Sequence, residues 1–250
     1  MAASRAAAPQ PAYVLHQHDW SESSLILDLF TRGQGRVVAA AKGAKRPYSQ
    51  LRAVLLPFQR LNVSLGRLPE GAEVQNLRHA EWAGGMALPQ GAALFSGFYL
   101  NELLMRLLPR HDAHPVLFDA YAQTLPALAG DEPSVEAALR AFELVLLRET
   151  GSLPDLHLAT LTQQPLRADR RYALRGEAGV IESADEVALE AAALVGLQAA
   201  LEHGSLAALQ QACTGTLPAL KQQLRALLHY HLGSPALRTR QVMRDLQQLP

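Results

Sequence analysis

The chain has 250 residues, 49% of them apolar, with 23 basic and 23 acidic side chains and a formal net charge of zero. That apolar share is ordinary for a globular protein, and the length holds one large or two modest cores. The single cysteine, Cys213, excludes an intrachain disulfide framework and a Cys-rich zinc site, and no apolar run reaches the ~20 residues that span a bilayer.

Met1–Pro11 is Ala/Pro-rich with only Arg5 charged, so it reads as a disordered tail and not as a signal peptide. Five strands are then expected: Tyr13–His18, Ser24–Thr31, Arg36–Ala41 after the turn Gly33-Gln34-Gly35, Phe58–Leu65 and Glu73–Trp82. Lys42–Gln50 is polar and punctuated by Gly43 and Pro47, which predicts a loop. Short turns between short strands fit a small antiparallel barrel of the OB type over residues 12–82. From residue 83 to 250 the pattern becomes helical: Leu94–Leu108, Pro115–Ala129, Val135–Thr150 behind Ser134, Ala184–Glu202 behind Ser183, Leu217–Leu232 ending at Gly233, and Thr239–Leu249. Leu153–Ile181 breaks the period with Gly, Pro and Arg167, Arg170, Arg171 and Arg175, and reads as an irregular insertion. The fold class is α+β.

Charge is unevenly placed. Up to Trp82 there are 10 bases and 6 acids; beyond it there are 13 and 17. From Leu29 to Pro69 there is no acid, against eight bases: Arg32, Arg36, Lys42, Lys45, Arg46, Arg52, Arg60 and Arg67. A local positive field of this kind points to nucleic acid. Lys42, Lys45, Arg46 and Arg52 suit phosphates because a loop can lie along a backbone, and Arg36 and Arg60 extend the track from predicted strands. Tyr48 is a candidate for base stacking; Phe58 follows an apolar run and reads more readily as core. Lys221 and Arg225 share a helix face that His229 extends, and with Arg238, Arg240 and Arg244 they form a second basic cluster; a solvated amphipathic face explains it equally well.

Catalytic motifs are missing. There is no Walker-type loop and no Gly-x-Ser-x-Gly elbow. His16/His18 and His229/His231 are His-x-His pairs, but two ligands without a Cys or clear acidic partner make a poor metal site. Cys213 has no basic neighbours in sequence and reads as a buried or neutral residue. No catalytic residue, metal or cofactor is therefore expected.

Tyr13-Val-Leu-His-Gln-His-Asp-Trp-Ser-Glu-Ser-Ser-Leu-Ile-Leu, Gly35-Arg-Val, Ala41-Lys-Gly-Ala and Leu56-Pro-Phe resemble the N-terminal signature of the bacterial recombination mediator RecO family. Leu94-Phe-Ser-Gly-Phe-Tyr-Leu-Asn-Glu-Leu-Leu, Leu139-Arg-Ala-Phe-Glu-Leu-Val-Leu-Leu, Tyr230-His-Leu-Gly and Leu237-Arg-Thr-Arg are similar to that family's helical core and C-terminal end, in the same order. The resemblance implies a cytoplasmic OB-fold protein that binds single- and double-stranded DNA, anneals complementary single strands, partners RecR and the single-stranded-DNA-binding protein SSB, and helps to load RecA onto gapped DNA. Many members carry a four-cysteine zinc motif where Leu153–Ile181 has no cysteine, so metal is in doubt for this chain. The resemblance also places an SSB-tail arginine at Arg140. Phe118, Tyr121 and Leu125, at i, i+3 and i+7, are candidates for an adjoining groove, although a core stripe has the same spacing. Other classes remain: an OB-fold RNA-binding or translation-associated protein, or an enzyme with a divergent site.

Overall fold

Five strands closing into a ring cannot alternate in direction at every seam, so one neighbouring pair must run parallel. The computed structural model describes residues 8–68, 70–84, 89–233 and 237–247, apart from the side chains at 240, 243, 244, 246 and 247. Strands β1 (Gln10–Asp19), β2 (Leu25–Thr31), β3 (Gly35–Ala41), β4 (Leu61–Leu65) and β5 (Val74–Trp82) form a closed barrel in the order β1-β2-β3-β5-β4. The parallel seam is β3 against β5, with Val38 opposite Val74; the other four seams are antiparallel. The barrel is thus OB-like but mixed, which corrects the purely antiparallel expectation. A short helix, α1 (Leu51–Val54), sits between β3 and β4, and Leu51, Val54 and Leu55 join the barrel core with Val14, Leu27, Leu29, Val37 and Val63.

β2 and β3 are buried on both faces, which is why Val37-Val38-Ala39-Ala40-Ala41 is a continuous small apolar run and does not alternate. On the outer face, Phe30 and Tyr13 meet Phe118 and Tyr121, with ring centroids 5.0–6.2 Å apart. Those two rings come from α3 (Pro115–Ala127), which follows α2 (Ala92–Leu107). The β1 register shifts between Val14 and His16; this bulge leaves the Leu15 carbonyl to accept Asn101 Nδ2 at 3.0 Å. Tyr121 Oη in turn donates to Asn101 Oδ1 at 2.6 Å, so a buried polar chain runs from α3 through α2 to β1. Gly35 has φ 66°, and a Cβ there would lie 1.6 Å from the Asp112 carbonyl oxygen, so only glycine fits.

By its contacts the chain divides into two compact units: Met1–Ala122 with Arg238–Pro250, and Gln123–Leu237. The last described helix, α8 (Arg238–Gln247), therefore returns to the barrel's unit. There Glu102 of α2 accepts the amides of Arg238 (2.8 Å) and Thr239 (3.0 Å) and the Thr239 hydroxyl (2.7 Å), capping α8 from outside its own sequence neighbourhood.

The second unit is built on α4 (Glu132–Glu149), whose residues from Ala137 to Leu147 are all buried. Around it lie α5 (Ala191–His203), α6 (Leu206–Thr214) and α7 (Leu217–Leu232), the last closed by Gly233 in the left-handed region. Asp131 precedes α4, so Ser134 lies inside it and does not cap it. The helix expected from Ala184 begins at Ala191, because Leu189–Glu190 forms a strand, β10, against Arg171–Tyr172. Ser183 Oγ instead accepts from the Asp185 amide in a local turn. The insertion holds two small sheets: β6 (Leu158–Ala159) with β7 (Gln164–Pro165), and β10 beside β8 (Arg171–Arg175) and β9 (Gly179–Glu182). Buried Gln223 of α7 accepts the Leu174 amide at 2.7 Å and donates to the Val187 carbonyl, tying these sheets to the helices.

Candidate nucleic-acid interface

Two loops at one end of the barrel are bonded into a single unit. The Lys45 amide donates to the Ser23 carbonyl (2.9 Å) and the Gly43 amide to Ser24 Oγ (3.3 Å). Lys45 Nζ donates to the Ser21 carbonyl (3.1 Å) and lies 3.0 Å from Asp19 Oδ1. Successive turns, Arg46 N to Gly43 O, Ser49 N to Arg46 O and Arg52 N to Ser49 O, coil the segment into α1. A stretch that reads as a loop is therefore ordered by its own turns and by the β1–β2 connection.

The eight bases of the acid-free stretch separate into two sets. Three are answered by acids from elsewhere in the unit. Arg32 forks onto Asp119 through Nε (3.0 Å) and Nη2 (2.9 Å), and that hydrogen bond holds the Asp119 carboxyl below its usual value. Arg36 bonds Asp28 Oδ1 through Nε (3.1 Å) and Nη2 (3.0 Å), and donates to the Met105 and Leu108 carbonyls at the end of α2. It is largely buried and acts as a tie between barrel and helix. Lys45 has Asp19. The other five, Lys42, Arg46, Arg52, Arg60 and Arg67, are exposed and make no salt bridge among the described residues. That subset carries the free positive field.

Tyr48 stands 99% exposed between these bases, free to stack. Phe58 is 4% exposed, at φ 64°, and packs against Phe98 and into the space that Gly97 leaves open, so it is core. Trp20, in the braced β1–β2 loop, is 57% exposed and was not among the expected residues. The visible signal was a large aromatic inside the polar run Asp19-Trp20-Ser21-Glu22-Ser23. His16 and His18 face one another at 4.4 Å, and His18 Nε2 lies 3.4 Å from Asp28. Burial and then the neighbouring His18 lower the His16 pKa, against Asp28, which raises it.

The second basic cluster is only partly assembled. Lys221 and Arg225 share the exposed face of α7 with His229, but Lys221 Nζ is 2.6 Å from Glu136. Arg238 belongs to the other unit, at the start of α8. The side chains of Arg240 and Arg244 lie outside the described residues.

Arg140 is not at the surface. It is 3% exposed, its Nη2 is 2.7 Å from Glu143 Oε1, and its Nη1 is 3.9 Å from Glu136. Phe118 and Tyr121 are buried in the barrel's unit and Leu125 is buried in the other. The residues of the i, i+3, i+7 stripe are all buried, as a core stripe is.

Among the described residues no group of three or more His, Cys, Asp or Glu is placed to hold a metal ion. Cys213 is fully buried, and burial pushes its thiol up to about 12, which removes it as a nucleophile at neutral pH. No helix among the described residues is long and apolar enough to cross a membrane.

Comparison with known proteins agrees along the whole chain. The family model described as recombination protein O N terminal matches residues 7–86, and the one described as recombination protein O C terminal matches residues 88–241. The chain is 53% identical over 260 residues to the DNA repair protein RecO of Variovorax paradoxus (strain S110), covering 100% of both chains. It is 53% identical over 251 residues to that of Polaromonas naphthalenivorans (strain CJ2), covering 99% of this chain and 100% of the relative. With that of Delftia acidovorans (strain DSM 14801 / SPH-1) it shares 51% identity over 261 residues, covering 100% of both.

Proposed function

The chain belongs to the recombination protein O family, and on that premise we propose that it is a non-enzymatic mediator of DNA repair that binds single- and double-stranded DNA and anneals complementary strands. The observation that carries the reading is the set of five exposed bases that make no salt bridge among the described residues, with an exposed Tyr48 in the same stretch of chain. Annealing needs no covalent chemistry. Two complementary strands repel through their phosphates, and a protein that neutralises several phosphates releases counterions and lowers that barrier. Phosphate contacts of this kind position a strand without reading its sequence, as a repair factor acting at any gap requires.

In the cytoplasm, the partners of this reading are RecR and SSB, with which the protein loads RecA onto SSB-coated gapped DNA. An SSB-tail carboxylate that engages Arg140 has to displace Glu143 from a buried ion pair. Tail binding at that position therefore couples to a local rearrangement of α4. The test is annealing of complementary oligonucleotides, bare and SSB-coated. Faster annealing in both cases is expected; no acceleration of bare strands would overturn the reading.

A further inference from the structure

A groove of about 290 Å³ opens beside the two braced loops. Its floor is apolar, made by Leu25, Ala44, Leu55 and Leu56. Gln17 and Asp19 stand on one rim, two residues apart on β1 and so on the same face of the strand. Lys45 and Arg52 line the groove as well, with Lys45 Nζ reaching Asp19 Oδ1 at 3.0 Å. Gln17 gives one N–H of its side-chain amide to the Leu55 carbonyl, which leaves its oxygen as an acceptor and its second N–H as a donor. Asp19 gives Oδ1 to Lys45 and is otherwise exposed. Among the described residues Arg52 makes no salt bridge, and its guanidinium is exposed.

We propose that this groove holds one unpaired nucleotide of a single strand, and that it favours a base with an exocyclic amine over thymine. The proposal rests on the DNA-binding reading above and deepens it. Clefts for small ligands run from roughly 300 to 1,000 Å³, so this one sits at the small end and suits one base, not an extended segment. Arg52 supplies the cation for the nucleotide's phosphate, beside a Lys45 already paired with Asp19. Beside them, the second carboxylate oxygen of Asp19 and the side-chain oxygen of Gln17 are acceptors. A carboxylate accepts well from the cytosine amine, whereas thymine brings two carbonyl oxygens and a single N–H to the same rim.

The experiment compares binding of the full chain to dC and dT oligonucleotides of roughly 20 nucleotides, longer than the ~4–16 that an OB fold covers. Wild type is expected to bind dC about five- to tenfold more tightly, the discrimination of one good base-edge pairing. Asp19→Ala should bring the ratio close to one while dT binding holds or tightens, because a negative charge has left the rim. Leu56→Glu places a carboxylate on the floor and should weaken both while melting as wild type does. Equal affinity of the wild type for dC and dT would overturn the groove assignment and leave the DNA reading standing. So would a preference that survives Asp19→Ala. Absence of binding to either oligonucleotide would instead defeat the DNA reading itself, and the groove assignment with it.

Discussion

Two arginine- and lysine-rich stretches of this chain have opposite fates. In the second unit, Arg167 meets Asp169 (3.1 Å), Arg170 meets Glu182 (3.0 Å), Arg175 meets Asp185, and Arg171 donates to the Glu186 and Ala188 carbonyls. Each base is answered within its own hairpin or the strand beside it, and the positive charge is spent on holding β8, β9 and β10 together. In the barrel's unit the acids are absent from the stretch itself, and among the described residues Arg32, Arg36 and Lys45 form salt bridges with acids from elsewhere. Five bases are left over. A count of cations thus says little about an interface until each one's partner is known; the lesson is the residue of charge after internal pairing.

The sharpest break of this comparison is at Arg140, the most deeply buried of the answered bases described here. Arg140→Ala removes the arginine partner of a buried carboxylate and should cost about 3–5 kcal/mol of stability, read by denaturant titration. Arg140→Met combined with Glu143→Leu should recover most of that, since replacing both charges by apolar groups is near neutral. A single variant as stable as wild type would show that the pair contributes little.

Next in size is the unanswered set. Lys42→Glu with Arg46→Glu should weaken binding to single strands by roughly tenfold or more. Each lost phosphate contact should flatten the dependence of log affinity on log salt by about 0.7–0.9, with the melting temperature unchanged. An unchanged slope would remove the loop from the DNA track.

Glu102 is an acid answered mainly by backbone. Burial pushes its carboxyl up, but the Thr239 and Arg238 amides, the Thr239 hydroxyl and Arg106 outweigh it, so the net shift is downward. A depressed carboxyl stabilises the fold above the ordinary carboxylate value and ceases to do so as pH falls through its folded value. Glu102→Gln should therefore melt earlier than wild type at pH 7, with the gap closing as the medium is acidified below about 4. A gap independent of pH would assign the effect to shape alone.

The smallest effect belongs to Arg175, whose pair with Asp185 is about half exposed on both sides. Arg175→Ala should cost under about 1 kcal/mol and leave DNA affinity untouched. Loss of DNA binding there would dissolve the distinction between answered and unanswered bases.

What the sequence disclosed follows the range of the interactions involved. The strands β2 and β3 and α7 with its Gly233 stop were legible because local pattern decides them, whereas the pairing of Lys45 with Asp19 was not. Closure of the ring was legible in strand count but not in direction, because the β3–β5 seam joins residues far apart in the chain. The start of α5 was misplaced for the same reason: Leu189 looks helical alone and becomes a strand only because Tyr172 lies opposite. α6 was missed because Ser205, its N-cap, follows Gly204 so closely that the break reads as a frayed end. Glu143 was visible three residues from Arg140, but burial of the pair depends on packing around α4, which no local pattern records.

The return of α8 has a consequence for synthesis on the ribosome. Glu102 and the amide it caps at Arg238 are separated by 136 positions, with the whole of the second unit made in between. The nascent barrel can close early, since all five strands end by Trp82, yet Glu102 of α2 waits for the amides it caps until α8 emerges. The closure cost of so long a loop grows only as the logarithm of its length, and a second unit that has already folded fixes the separation of its own ends. Ordered emergence therefore favours barrel first, second unit next and α8 last, and a ribosome that stalls near residue 237 holds a nascent chain in which that carboxylate has Arg106 but not yet α8.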